Sequence, residues 1–299
     1  MSTKAHVRSL KRILVGTDFS PAARNAVVRA ALLALEHRAR LELLHVTPRL
    51  DRAALRRFGL DRLLGHRSEA ELRRRLAEAV ELARAHGVLA TARLVRGGAA
   101  VRLAEEAERR DVDLVVVGAR GDRSFKHELL GTTAERLIER SARDVLVVRA
   151  APRSPYRRLL LCTALGPASA AVVRAGVVLS AGARLQLLHV YEPPFEVKLV
   201  VHGAGAKALA AHRDATHREA ERELAALVER CEVPAARAPA LVLRQGRAAH
   251  EILVAARDVG ADAIVVGKNQ SLLQELFLGS ATKHVVRSTG RDVLIVAPR

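Results

Sequence analysis

The stretch DLVVVGARGDRSFKHELLGTTAERLIERSAR, residues 113–143, decides how this chain is read. It opens with a continuous apolar run, the mark of a strand buried on both faces. A loop bounded by Gly118 and Gly121 follows, where backbone can approach a ligand or take φ > 0 without a Cβ clash. A helix then begins at Gly131-Thr132-Thr133, which sets free amides and hydroxyls at its N-terminus, a ready anion site. The spacing is G-x2-G-x9-G-[ST]. Strand, glycine loop and helix start together describe a cradle for a nucleotide.

Upstream of this stretch the same alternation repeats. RILVGT (12–17) is a short apolar run, and Ser20-Pro21 suits an N-cap followed by proline in the first helical turn. A helix covers about 21–38, LELLHV (41–46) is a second strand, and 49–67 is a basic, irregular loop with room for a short helix. Residues 68–86 are helical and end at Gly87; 91–97 is a third strand and 99–110 a helix. The quoted stretch supplies the fourth strand (113–117) and the next helix (132–141), and DVLVV (144–148) is the fifth strand. Apolar strands alternating with helices indicate a parallel sheet covered on both faces.

After the Pro-punctuated stretch APRSPYRR the series starts again. RLLLCTAL (158–165) answers RILVGTDF, LQLLHVYEPP (185–194) answers LELLHVTP, and a helical stretch at 203–230 answers 68–86. DAIVVG (262–267) answers DLVVVG, and 279–296 answers the helix and strand that close the first series. The repeat of about 145 to 149 residues is the size of a domain, not of a solenoid unit. The expected architecture is α/β: two tandem doubly wound domains of flavodoxin or adenine-nucleotide-hydrolase type, each a five-stranded parallel sheet of order 3-2-1-4-5. Their bounds are 1–150 and 157–299, with 151–156 as linker.

Composition narrows the function. Of 299 residues 49% are apolar and only 2% aromatic, so the cores are aliphatic and there are few platforms for stacking nucleic-acid bases. The sequence contains no apolar run long enough to span a membrane, and MSTKAHVRSLKR lacks the apolar core of a secretory signal, so a cytoplasmic, membrane-free protein is expected. Cys162 and Cys231 are too few for a disulfide framework or a cysteine-rich zinc site. The net charge of +18 favours anionic partners in general, although arginine-rich solvated helix faces account for it equally well. His202, His212 and His217 lack an i, i+4 metal spacing. No G-x4-G-K-[ST] or nucleophile-elbow motif occurs.

With strand order 3-2-1-4-5, order reverses between strands 1 and 4, and ligands bind beyond the C-terminal ends of strands there. Asp18 just past strand 1 and Gly118 just past strand 4 are therefore expected neighbours. Gly131, Thr132 and Thr133 would hold phosphate oxygens, and Arg120, Arg123 and Lys126 would add charge. Asp18 suits a ribose or base donor, or a phosphate-bound Mg²⁺, a reading preferred to that of a mere cap for the first helix, with which it can coexist. His45-Val46-Thr47 would offer backbone groups to a base edge. His45 and His189, each before a valine at a strand end, suggest a shared packing or cleft-edge role.

These features resemble the universal stress protein family, in its tandem-domain form, over essentially the whole chain. The signature is matched by Gly118, Gly121, Gly131 and Thr132, the early V-x-x-D-x-S by Val15, Asp18 and Ser20, and LLHV occurs in both halves. The resemblance implies ATP binding, with the base near Val46, Gly16-Thr17-Asp18 against the nucleotide, and ribose and phosphates on the glycine loop. It also implies antiparallel pairing of the halves through strand 5, a pseudo-dimer within one chain, with a further homo-oligomer left open.

The second half departs from the pattern. Ala164 stands for Asp18, Cys162 for Gly16 and Gln270 for the second glycine, while Gly279-Ser280 survives. A weak, altered or empty second site is expected, or one for a more apolar ligand. The leading expectation is an ATP-binding stress-response regulator with an unknown protein partner, not an enzyme, although slow hydrolysis has no dedicated base to exclude or support it. The alternatives are an interaction module that docks an acidic partner or nucleic acid through its basic surface, with nucleic acid the weaker of the two, and a phosphoryl-transfer enzyme.

Overall fold

The computed structural model describes residues 9–48, 68–121, 130–268 and 279–298. The chain divides into two units, Ser9–Pro155 and Tyr156–Arg299.

In the first unit the strands are β1 (Arg12–Gly16), β2 (Arg40–Thr47), β3 (Ala90–Arg96), β4 (Leu114–Gly118) and β5 (Asp144–Val148). All neighbours are parallel and the order is β3-β2-β1-β4-β5, as expected from the sequence. The connecting helices are α1 (Pro21–His37), α2 (Glu69–Arg84), α3 (Ala99–Arg109) and α4 (Thr132–Arg140). Strand order runs one way through β1, β2 and β3 and the other through β4 and β5. Right-handed crossovers then send the helices to opposite faces. Accordingly α1 packs with α2, and α3 with α4. The buried layer is aliphatic, with Leu14, Val15, Leu43, Val115 and Val116 fully enclosed.

Local chemistry sets the element ends. Ser20 caps α1 through its hydroxyl, which accepts from Ala23 N at 3.1 Å, and Pro21 follows in the first turn. Ser68 caps α2 in the same way through Glu71 N. That helix stops at Arg84, two residues before the sequence pattern suggests, because the chain turns at 85–87 and Gly87 takes φ +81 with its amide on Arg84 O. The irregular loop expected at 49–67 lies outside the described residues.

The second unit repeats the plan with β6 (Arg158–Thr163), β7 (Arg184–Tyr191), β8 (Ala240–Gln245), β9 (Ala263–Gly267) and β10 (Asp292–Val296), in the order β8-β7-β6-β9-β10. Its helices are α5 (Ser169–Leu179), α6 (Glu196–Val201), α7 (Ala206–Arg230), α8 (Ala248–Asp258) and α9 (Ser280–Ser288). The short α6 has no periodic apolar signal and is not evident from sequence. Tyr156, assigned to the linker by composition, is buried in this unit and donates its hydroxyl proton to Asp292 at 2.7 Å. Both halves use one carboxylate to fix the start of the central strand. Asp113 accepts from the amides of Lys11 and Arg12, and Asp262 from those of Arg157 and Arg158. Among the described residues no helix is long and apolar enough to cross a membrane.

One buried charge anchors α3. Glu106 is 3% exposed and is met by Arg93, Arg102, Arg109 and Arg110. Burial opposes its ionisation, but hydrogen bonds from Arg109 and Arg110 and the charge of Arg93 outweigh that, so its carboxyl titrates below the ordinary 4.5. A depressed folded-state pKa stabilises the fold above the unfolded value, and that stability is lost as pH falls through the folded one. Glu106→Gln should therefore cost on the order of 3 kcal/mol at neutral pH, because four guanidiniums lose their buried partner. The loss should shrink as pH drops below about 4.5. Urea denaturation of both proteins at pH 7 and pH 4 checks this; an equal loss at both values contradicts it.

Candidate functional site

The C-terminal ends of β1 and β4 lie side by side, Val15 opposite Val116 in register, so the segments that follow meet at one end of the sheet. The β1 segment is a turn built from side-chain acceptors. Thr17 Oγ1 accepts from Phe19 N at 3.1 Å, Asp18 Oδ1 from Ser20 N at 3.0 Å, and Ser20 Oγ from Ala23 N. Phe19 itself adopts φ +66, the left-handed region a bulky residue rarely takes. Asp18 is therefore part of the turn, while Ser20 is the helix cap.

The β4 segment comes against this turn. A β-carbon on Gly121 would stand 2.7 Å from Asp18 Oδ2, so the carboxylate lies directly on the bare face of that glycine. Gly131 donates its amide to Ala119 O at 2.8 Å, and Ala119 donates to Val148 O at 2.9 Å, which closes the loop onto the strand end. A side chain at Gly131 would press on Ala119 O and the Cα of Arg120, at 3.3 and 3.4 Å. Helix α4 then begins at Gly131, with no side-chain cap among the described residues, and Thr132 and Thr133 are exposed on its first turn. Free amides, two hydroxyls and the positive end of the helix dipole thus sit beside a carboxylate and a glycine-lined backbone.

Of the residues singled out from sequence, Thr17, Asp18, Gly118, Arg120, Gly121, Gly131, Thr132 and Thr133 come together at this end. Val46 lies near the end of β2, half-buried and in register with Val95. Gly16 and Gly118 have packing duties that the sequence does not reveal. A Cβ at Gly16 would strike Leu103 of α3 at 2.9 Å, and one at Gly118 would strike the backbone of Ala22 at 2.7 Å. Arg123 and Lys126 lie outside the described residues.

Two residues at the site went beyond sequence reasoning. His45 Nδ1 bonds Thr17 O at 2.7 Å, and its ring lies 4.4 Å from that of Phe19, over which Arg75 of α2 sits at 5.9 Å. The repeated LLHV marked His45 only as a packing or cleft-edge residue; nothing in the sequence marked Phe19.

The second unit keeps the turn and loses the chemistry. Leu165 takes φ +56, its amide bonds Thr163 Oγ1 at 3.0 Å, and His189 Nδ1 bonds Thr163 O at 2.9 Å. Ala164, however, has no carboxylate, and Cys162 is buried with its thiol pushed far up by that burial. Lys268, whose amide bonds Val296 O as that of Ala119 bonds Val148 O, carries a fully buried lysine side chain where the first unit has a methyl. The three histidines singled out from sequence have local partners: His202 pairs with Lys198 O, His212 with Pro194 O and His217 with Tyr191.

The family model described as the universal stress protein family matches residues 9–149 and again 155–297. The chain belongs to the universal stress protein family. A universal stress protein of Methanocaldococcus jannaschii is 29% identical over 139 residues, 46% of this chain and 82% of its own. Among solved structures, a universal stress protein from Archaeoglobus fulgidus superposes with a TM-score of 0.68 at 18% identity, covering 96% of this chain and 98% of that one. A putative universal stress protein from Pseudomonas aeruginosa gives 0.61 at 17%, covering 98% and 95%. At these identities the structural likeness speaks to the fold of this universal stress protein, which is the tandem arrangement its repeat implies.

The two loop glycines should respond differently to a methyl group. Gly118→Ala meets helix backbone that cannot swing away, and should cost about 1–3 kcal/mol in urea denaturation. Gly121→Ala meets, among the described residues, the outer end of the Asp18 side chain and no backbone, and should cost under about 1 kcal/mol. Equal costs would contradict this account of the two positions.

Proposed function

We propose that the first unit binds ATP and that the chain acts as a nucleotide-dependent stress-response regulator, with a protein partner reading the bound state. The observation that carries this reading is the Asp18 carboxylate packed on Gly121 beside the uncapped start of α4. Anionic phosphates suit the helix N-terminus and its threonines, while the carboxylate suits a hydroxyl or amine of the same ligand. Among the described residues no group of three His, Cys, Asp or Glu could hold a metal ion on its own. A Mg²⁺ ion would then arrive with the phosphates, with Asp18 the carboxylate that meets it and the ion offsetting phosphate charge.

The reading is of a binding protein and not an enzyme. One Asp18 oxygen is already engaged by the Ser20 amide, and the turn offers no dedicated base for activating water. In the second unit the loss of the carboxylate and the buried Lys268 favour a site that no longer takes the same ligand. We assign the protein to the cytoplasm on its composition alone.

Equilibrium calorimetry tests the proposal. ATP should bind, and Asp18→Ala and Gly121→Val should each weaken it at least tenfold while leaving the melting temperature within a few degrees. Absence of binding, or unchanged affinity in both variants, would sink it. Binding that persists in both variants but falls steeply with salt would favour the alternative of a polyanion docking on the basic surface.

A further inference from the structure

We infer that His45 is a positioning residue for the cleft: its Nδ1–H grips the Thr17 carbonyl and so fixes where the Asp18 carboxylate stands against Gly121. The inference rests on the nucleotide reading above for its functional consequence, but its structural half stands independently of any ligand.

Thr17 is the first residue past β1, where the chain leaves the sheet. Its amide still belongs to the ladder, donating to Leu44 O at 3.0 Å. Its oxygen is held instead by the side chain of the next residue along β2, at 2.7 Å, in surroundings where Thr17 is 7% and His45 9% exposed. A carbonyl can only accept, so Nδ1 must carry the proton, which fixes the tautomer of the ring. Residues 44 and 45 therefore hold Thr17 from both ends of its peptide units. The segment beyond Thr17 is short and rigid: Asp18 begins one bond later, and the turn is closed by Thr17 Oγ1 on Phe19 N and by Asp18 Oδ1 on Ser20 N. Phe19, at φ +66 in that turn, packs its ring 4.4 Å from the imidazole and tilted 31° to it.

The second unit supplies an internal control. His189 grips Thr163 O at 2.9 Å over the same left-handed turn, yet the residue it positions is Ala164, which has no carboxylate. The two histidines thus do the same structural work, and only the first has a functional group to aim. A role in positioning makes them equal in stability and unequal in binding.

The experiment compares His45→Leu, His45→Asn and His189→Leu in the full chain. Leucine removes the donor at similar volume, whereas the asparagine amide can still reach the carbonyl. Two readouts are taken: ATP affinity by calorimetry, and, without nucleotide, the carboxyl ¹³C resonance of Asp18, identified by its loss in Asp18→Asn. His45→Leu should move that resonance and weaken ATP at least tenfold. His45→Asn should restore the resonance and bring affinity to within about threefold of wild type, and His189→Leu should change neither while lowering the melting temperature as much as His45→Leu does. If the Asp18 resonance is unmoved in His45→Leu, the positioning role is overturned whether or not ATP binds. If it moves and the wild-type protein binds no ATP, the positioning stands and the nucleotide reading is what fails. Equal loss of affinity in His45→Leu and His189→Leu would also overturn it, since a general loss of stability then explains both.

Discussion

The close approach of β4 to the start of α1 is the constraint on which the first unit's cleft depends. A β-carbon at Gly118 would lie 2.7 Å from the backbone of Ala22, so only a residue without a side chain lets the helix sit that low on the strand end. That seating brings the turn at 17–20 up to the glycine loop. It also puts Asp18 on Gly121 and leaves the uncapped start of α4 facing the same space. The second unit obeys the same constraint, since a Cβ at Gly267 would press on Ala168 and Val172. The packing that shapes a cleft is thus kept in both halves, while the groups that give a cleft its chemistry are kept in one.

Duplication makes that separation visible. The strand-start carboxylates, the left-handed turn residue and the histidine on the threonine carbonyl occur twice, at matching positions, and can be assigned to the fold. Asp18 and the second loop glycine occur once, which is why the proposed site is placed in the first half. Ala164 stands where Asp18 stands and the buried Lys268 where Ala119 stands, so the second half differs from the first in the residues around the turn as well as in the missing carboxylate.

Strand order, helix placement and the meeting of Asp18 with the glycine loop were legible in the sequence because they follow from continuous apolar runs, two copies of one pattern and the handedness of crossovers. The duties of Gly16 and Gly118 were not. A glycine in sequence announces that a side chain is forbidden without saying which neighbour forbids it, and here the neighbours are Leu103 and the backbone of Ala22. His45 was legible only as a repeated letter, since the acceptor that gives it meaning is a backbone carbonyl with no sequence signature. Tyr156 fell in a Pro-rich stretch whose composition suggests a linker, and what ties it to the second unit are bonds to residues distant in sequence, from its hydroxyl to Asp292 and from the Ser180 hydroxyl to its carbonyl.

The central claim is that the chain carries one nucleotide site and that it lies in the first half. The most direct measurement is to incubate the purified protein with ATP, remove unbound nucleotide, denature it, and identify and count what is released. The account predicts an adenine nucleotide at no more than one per chain, absent when Asp18 is replaced by alanine. Release of two per chain, or of none from a protein shown to be folded, would contradict it.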